Sequence, residues 1–93
     1  MLKTEQKKYY QVRAGQTLEE IAAHFSVSAR LLARENGLTA PPPEGRILRI
    51  PSEKGNAYIV REGDTPSLLC GSEERFIQKN GGRVFYLGMR VIL

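Results

Sequence analysis

Glu20 and His24 stand one helical turn apart, and an imidazole beside a carboxylate is a pairing used in general acid–base catalysis. No nucleophile with an orienting partner of its own completes a constellation around them, so they read as a surface pair. The lone cysteine, Cys70, has no partner for an internal disulfide. Its place corresponds to Ala22 of an earlier stretch, which makes a small buried hydrophobe the first reading and a reactive thiol the second. Glu19-Glu20 and Glu73-Glu74 are adjacent in sequence, and neighbours on a helix do not face one another, so neither is a catalytic carboxylate pair. Metal-ligand spacing and phosphate-binding loops are missing from the sequence. The expectation is a chain that is no enzyme, with no cofactor and no metal.

Charge and composition narrow the field further. Lysine and arginine outnumber acidic residues by 14 to 10, giving +4 and a pI near 9.5, but the two signs are interspersed, so the preference for acidic partners is weak. Lys3, Lys7 and Lys8 form the one local cluster, a solvated tail or a landing patch for anionic polymers. Hydrophobic residues make up 41% and recur periodically, which marks a globular chain. No apolar run reaches the length of a membrane span, and MLKTEQKKYY lacks the apolar centre of a secretory signal. Tryptophan is absent, so a stacking platform for a sugar would have to be tyrosine. Tyr9, Tyr58 and Tyr86 are candidates, although Tyr10 and Tyr58 also suit a strand core.

These residues are positioned by an internal repeat. Tyr10, Val12, Arg13, Gly15 and Thr17 correspond to Tyr58, Val60, Arg61, Gly63 and Thr65 at one constant offset. Alternating Tyr10 and Val12 predict a short strand, Gly15 a turn, and Thr17 with Glu20 a capping box that opens a helix. Leu18, Ile21, Ala22 and Phe25 line one face of that helix. Ser28 caps a second helix ending near Asn36-Gly37, Pro41 to Pro43 form a stiff loop, and Arg46 to Ile50 return as a strand stopped by Pro51. The second copy repeats the plan with Pro66 at the first helical position, a first helix four residues shorter, and Ser72 to Asn80 matching Ser28 to Asn36. The last strand, Gly88 to Leu93, matches Gly45 to Ile50. The fold class is therefore α+β, with two small βααβ units, each a two-stranded antiparallel sheet with two helices on one face. Residues 1–8 are read as a basic tail, 9–51 as the first unit, 52–57 as a flexible linker and 58–93 as the second unit.

This order of residues resembles the LysM domain. In the first unit the likeness is carried by Tyr10, Val12, Gly15, Thr17, Leu18, Ile21, Ala22, Leu32, Asn36, Gly45, Leu48, Ile50 and Pro51. In the second it is carried by Tyr58, Val60, Gly63, Asp64, Thr65, Phe76, Asn80, Gly88, Val91 and Leu93, a degenerate copy with a cut helix and no closing proline. The resemblance implies non-catalytic binding of N-acetylglucosamine-containing glycan, peptidoglycan or chitin, and a place in the cell wall or spore envelope. It also implies a groove between the loop after strand 1 and the loop before strand 2. Carried over, the first groove would use Gly15, Gln16, Thr17 and Leu18 with Gly37, Leu38, Thr39 and Ala40. The second would use Gly63, Asp64, Thr65 and Pro66 with Gly81, Gly82, Arg83 and Val84. Gln16 stands where the family usually has Asp, and the first groove is expected to be the better binder, with Leu18 and Leu38 as an apolar recess for an acetyl methyl.

Simpler roles compete for the same residues: Thr17 and Thr65 as helix caps, Asn36 and Asn80 as helix ends that hold the following loop, Gly15 and Gly63 as turn glycines. Two further functions are open on the sequence. LEEIAAHFSVSARLLARENG also suits a helix-turn-helix, with Arg30 and Arg34 offered to DNA, although flanking strands and Glu73-Glu74 in the second copy oppose it. A protein-interaction element of a cell-envelope or spore layer, its grooves relics, is the other.

Overall fold

The computed structural model describes residues 8–93, so the expectations for Lys3, Lys7 and the rest of the tail up to residue 7 lie outside the described residues. The elements run β1 (Lys8–Gln11), α1 (Leu18–His24), α2 (Ala29–Glu35), β2 (Ile47–Ile50), β3 (Ala57–Ile59), α3 (Pro66–Cys70), α4 (Glu73–Asn80) and β4 (Arg90–Ile92). β1 pairs antiparallel with β2, Tyr10 opposite Leu48, and β3 pairs antiparallel with β4, Tyr58 opposite Val91. The architecture is α+β, a βααβ unit made twice. Lys8, expected in the tail, already belongs to β1, opposite Ile50.

Local chemistry sets each helix start. Thr17 Oγ1 accepts from the Glu20 amide at 3.1 Å while Glu20 Oε1 accepts from the Thr17 amide at 3.1 Å, the reciprocal capping box. Ser28, Thr65 and Ser72 cap α2, α3 and α4 one way only, each hydroxyl accepting the amide three residues on, and Pro66 opens α3, where no amide donor is needed. The tight turn between the two helices of a unit needs one left-handed residue. In the second unit it is Gly71 (φ 89°); in the first it is Ser26 (φ 57°), a conformation that costs a residue with a side chain more than it costs glycine.

Each unit has its own core. In the first, Val12, Ile21, Ala22, Val27, Leu32, Leu48 and Ile50 are buried together, with Tyr10, Leu18, Phe25 and Leu38 packed around them. Tyr10 meets Phe25 edge-on at 5.3 Å between ring centroids. The second core has three buried members, Val60, Phe76 and Val91, supported by Tyr58, Leu69, Cys70, Phe85 and Met89. Its first helix is too short to cover the sheet as α1 does, and Leu68 is left 75% exposed.

A single asparagine in each unit joins the second helix to the last strand. Asn36 donates from Nδ2 to the Leu32 and Arg49 carbonyls at 2.8 Å each and accepts the Arg49 amide on Oδ1 at 2.8 Å. Asn80 does the same with Phe76 and with both backbone groups of Ile92, and it is only 1% exposed. Holding the following loop was the sequence expectation; instead the amide side chain mimics a peptide group and pairs the strand's outer edge, which a helix cannot otherwise do.

The two units are packed together. Ser28 caps α2 and also donates its hydroxyl to the Asn80 carbonyl at 3.0 Å, while Arg90 Nη1 donates to the Val27 carbonyl at 3.2 Å. Gly81 (φ 75°) presses against α2 so closely that an added Cβ would lie 2.7 Å from Leu31 Cα. Residues 52–57, expected to be a flexible linker, are tied down. The Gly55 amide donates to Ser26, Leu93 donates to Asn56, and Gln78 Nε2 donates to Glu53 at 2.9 Å.

Two stability measurements follow from these contacts. Asn80→Ala orphans two backbone groups of the buried Ile92 and is expected to cost about 3 kcal/mol by urea denaturation, whereas Asn36→Ala, which water can reach, costs about 1 to 2 kcal/mol. Gly81→Ala meets both a positive φ and the α2 backbone; heteronuclear NMR should show displaced Leu31, Ser28 and Asn80 amides with the first unit's β1–β2 pairing kept.

Candidate functional site

The first groove is assembled by two turns. Gly15 (φ 75°) turns the chain after β1, the Gln16 amide donates back to Arg13 at 3.2 Å, and Gln16 Oε1 accepts the Arg13 amide at 3.1 Å. Gln16 also meets the Tyr10 hydroxyl, 2.7 Å from Nε2 and 2.9 Å from Oε1. On the other side Gly37 (φ 62°) leaves α2, the Leu38 amide donates to Ala33 at 2.9 Å, and Arg46 holds the Asn36 carbonyl at 3.2 Å.

Between these turns lies a cleft of about 400 Å³. Of the expected residues, Gln16, Thr17, Leu18, Leu38, Thr39 and Ala40 line it; Glu19, Ala33 and Pro41 join them, and Gly15 and Gly37 shape it from the turns. Leu18 and Leu38 are half-buried on the first core and Ala33 lies with them, an apolar floor. Glu19, Ala33 and Pro41 were missed as lining by the sequence reading, Pro41 having been read only as part of a stiff loop, although Ala33 could have been found from helix phase, four residues before Gly37. Among the described residues the Thr39 and Ala40 amides enter no backbone hydrogen bond. The arrangement offers a hydrophobic recess beside free peptide donors, which suit the methyl and the carbonyl of an acetamido group.

The second groove is different. The turn of β3 is held by Asp64, whose Oδ2 accepts from the Tyr58 hydroxyl at 2.7 Å and from the Arg61 amide at 2.8 Å. Those are the partners Gln16 takes in the first unit, so the replacement of Asp by Gln conserves the turn and loses only the charge. Thr65 is occupied as a cap and Pro66 begins α3. On the facing loop Gly81 is buried against α2, Gly82 lies beside the Arg30 side chain, and Arg83 pairs with Glu73 at 3.0 Å on the open surface. Val84 is 40% exposed. Two residues of this facing loop, Gly81 and Gly82, are thus spent on contact with the first unit.

Other singled-out residues find plainer roles. Glu20 is engaged by Thr17, and His24 stacks edge-on against Phe25 at 4.8 Å, so the two do not form even the surface pair expected of them. Cys70 lies half-buried on the second core, and burial pushes its thiol pKa up. Tyr58 packs on that core, whereas Tyr9 and Tyr86 are about 60% exposed. The α2 face that a helix-turn-helix would offer to DNA is covered in part: Arg30 abuts Gly82 and Arg34 reaches toward the Gly81 carbonyl at 3.5 Å. A larger cleft of about 600 Å³, edged by Lys8, His24, Phe25, Arg49 and Lys54, lies away from both expected grooves. No helix among the described residues is long and apolar enough to cross a membrane.

A two-stranded sheet backed by two capped helices, with a cleft between the turn after its first strand and the turn after its second helix, defines a small βααβ module. The LysM domain family profile matches residues 10–51, and the first unit belongs to that family. Two solved structures are similar to the chain, the spore cortex-lytic enzymes SleL of Bacillus cereus (20% identity, TM-score 0.46) and Bacillus megaterium QM B1551 (27%, TM-score 0.47). Each similarity covers 94% of this chain and 22% of the enzyme, so the chain spans about a fifth of those proteins. No curated protein sequence matches it.

The two turns should respond differently to acid. The Tyr58 hydrogen bond, and then the Arg61 amide, hold the Asp64 carboxyl below the ordinary carboxylate range. The same bond, followed by desolvation, raises Tyr58. A depressed carboxyl stabilises the fold fully above its unfolded pKa and loses that contribution as pH falls through the folded one; the raised phenol contributes below its unfolded pKa and loses it as pH rises through the folded one. In an NMR titration from about pH 5 to about pH 2, the Arg61 amide should move with Asp64 while the Arg13 amide, bound to neutral Gln16, stays in place. Asp64→Asn should abolish the Arg61 transition.

Proposed function

We propose that the chain is a non-catalytic module that binds glycans containing N-acetylglucosamine, peptidoglycan or chitin, in the cleft of its first unit. The observation that carries this reading is that, in a LysM domain, the two loops expected to hold sugar enclose a cleft with an apolar floor and unengaged amides. Leu18, Leu38 and Ala33 would receive the acetyl methyl, and Thr39 and Ala40 the amide and hydroxyl oxygens. The second unit is a degenerate copy in this reading, with the same asparagine clamp and turn acid, and its groove of Gly63, Asp64, Thr65, Pro66, Gly81, Gly82, Arg83 and Val84 is the weaker. Its polar groups are already engaged in caps, in the turn and against α2. A module of this kind belongs at the cell wall or in a spore envelope.

A role as a protein-assembly element is the second reading, favoured by the exposed apolar side chains of Leu68 and Leu87, 75% and 67% exposed on the second unit. Co-sedimentation with purified peptidoglycan separates the two. Glycan binding requires retention by the polymer that free oligosaccharide competes away, and assembly alone gives none. Leu38→Arg, which fills the floor of the first cleft with a charge, is expected to lower retention at least tenfold, and Arg83→Ala less than about twofold. Equal losses from the two variants would reverse the ranking of the grooves.

A further inference from the structure

The first cleft does not end at Glu19. A second cleft, of about 490 Å³, shares Leu18, Glu19 and Ala33 with it and runs into the seam between the units, where Tyr86, Met89 and Arg90 form the far wall. That wall is fixed. Arg90 donates to the Val27 carbonyl across the seam, the Met89 amide closes a turn onto the Tyr86 carbonyl at 3.1 Å, and the Gly88 amide anchors the turn to Val60 at 2.9 Å. Tyr86 nevertheless remains 59% exposed, an aromatic ring held on an anchored turn.

We infer that this seam cleft continues the first groove and takes a further saccharide of the same glycan strand, with Tyr86 as its stacking platform. The inference rests on the glycan reading of the first groove. A pyranose presents a face of C–H groups that suits the electron-rich face of an aromatic ring, and Tyr86 is the exposed tyrosine that the cleft contains. Glu19 and Arg30 on the walls supply a planar acceptor and planar donors for ring hydroxyls. The second unit then contributes to binding through the turn before β4, and its own groove is not required.

Titration calorimetry tests this with two chito-oligosaccharides, one short enough to fill the first groove alone and one of twice that length. The protein should bind the longer one more tightly. Tyr86→Ala should remove that advantage, about three- to tenfold, and leave the short ligand unaffected, while Tyr86→Phe retains most of it. Leu38→Arg should lose both ligands. Equal affinity of the unmodified protein for the two lengths, or an advantage that survives Tyr86→Ala, overturns the seam site and leaves the first groove standing. Binding of neither ligand by the unmodified protein overturns both.

Discussion

The clamp made by one asparagine at the end of each second helix is the interaction on which the rest depends. A two-stranded sheet has an unpaired edge on both sides, and a unit of this size has too few buried side chains to hold a helix to such an edge by packing alone. Asn36 and Asn80 solve this by lending a side-chain amide to the strand, so that Arg49 and Ile92 find both their backbone partners on a helix. The helix end is fixed relative to the strand at the same stroke. One of the two loops that shape the first cleft hangs from that fixed point: Gly37 and Leu38 leave directly from Asn36, and Arg46 returns to its carbonyl.

The same device serves the seam. The carbonyl of Asn80 faces the first unit and receives Ser28, whose hydroxyl simultaneously caps α2. One clamp thus stands at the junction of a helix end, a strand edge and a neighbouring helix start. The arrangement also explains the asymmetry of the units. The loop that borders an open cleft in the first is packed against α2 in the second, whose own core has only three buried members.

What the sequence revealed and what it hid divide along one physical line. Thr17, Ser28, Thr65 and Ser72 were legible as caps because a cap is decided by residues three apart, and the strands followed from alternation and from the repeat. Most of the lining of the first cleft was legible through its resemblance to the LysM domain, with Glu19 and Ala33 missed because they belong to helix faces, and Pro41 because the carried-over loop stopped one residue short of it. The seam was not legible. Ser28 and Asn80 are 52 residues apart, and nothing in a serine that already has a task as a cap announces a second one. Gly81 likewise read as a residue of the second groove, when its lack of a side chain is what lets α2 approach. Glu20 was mistaken for a partner of His24 because spacing reports which residues share a face, not which hydrogen bond wins. The backbone amide of Thr17 is nearer and unsatisfied without it.

Gly55 gives the pair of units a property that its linker composition conceals. With its amide bound to Ser26 and the Leu93 carbonyl pressed where a side chain would begin, the connector is tied to the first unit and to the last strand of the second at the same place. Flexible tandem modules tolerate ligands of many shapes, because the tether explores until both sites meet something. A locked pair has no such search. On the glycan reading proposed above, such a pair would meet the polymer as a template, so that a taut, ordered strand and a slack one of identical chemistry would become different ligands.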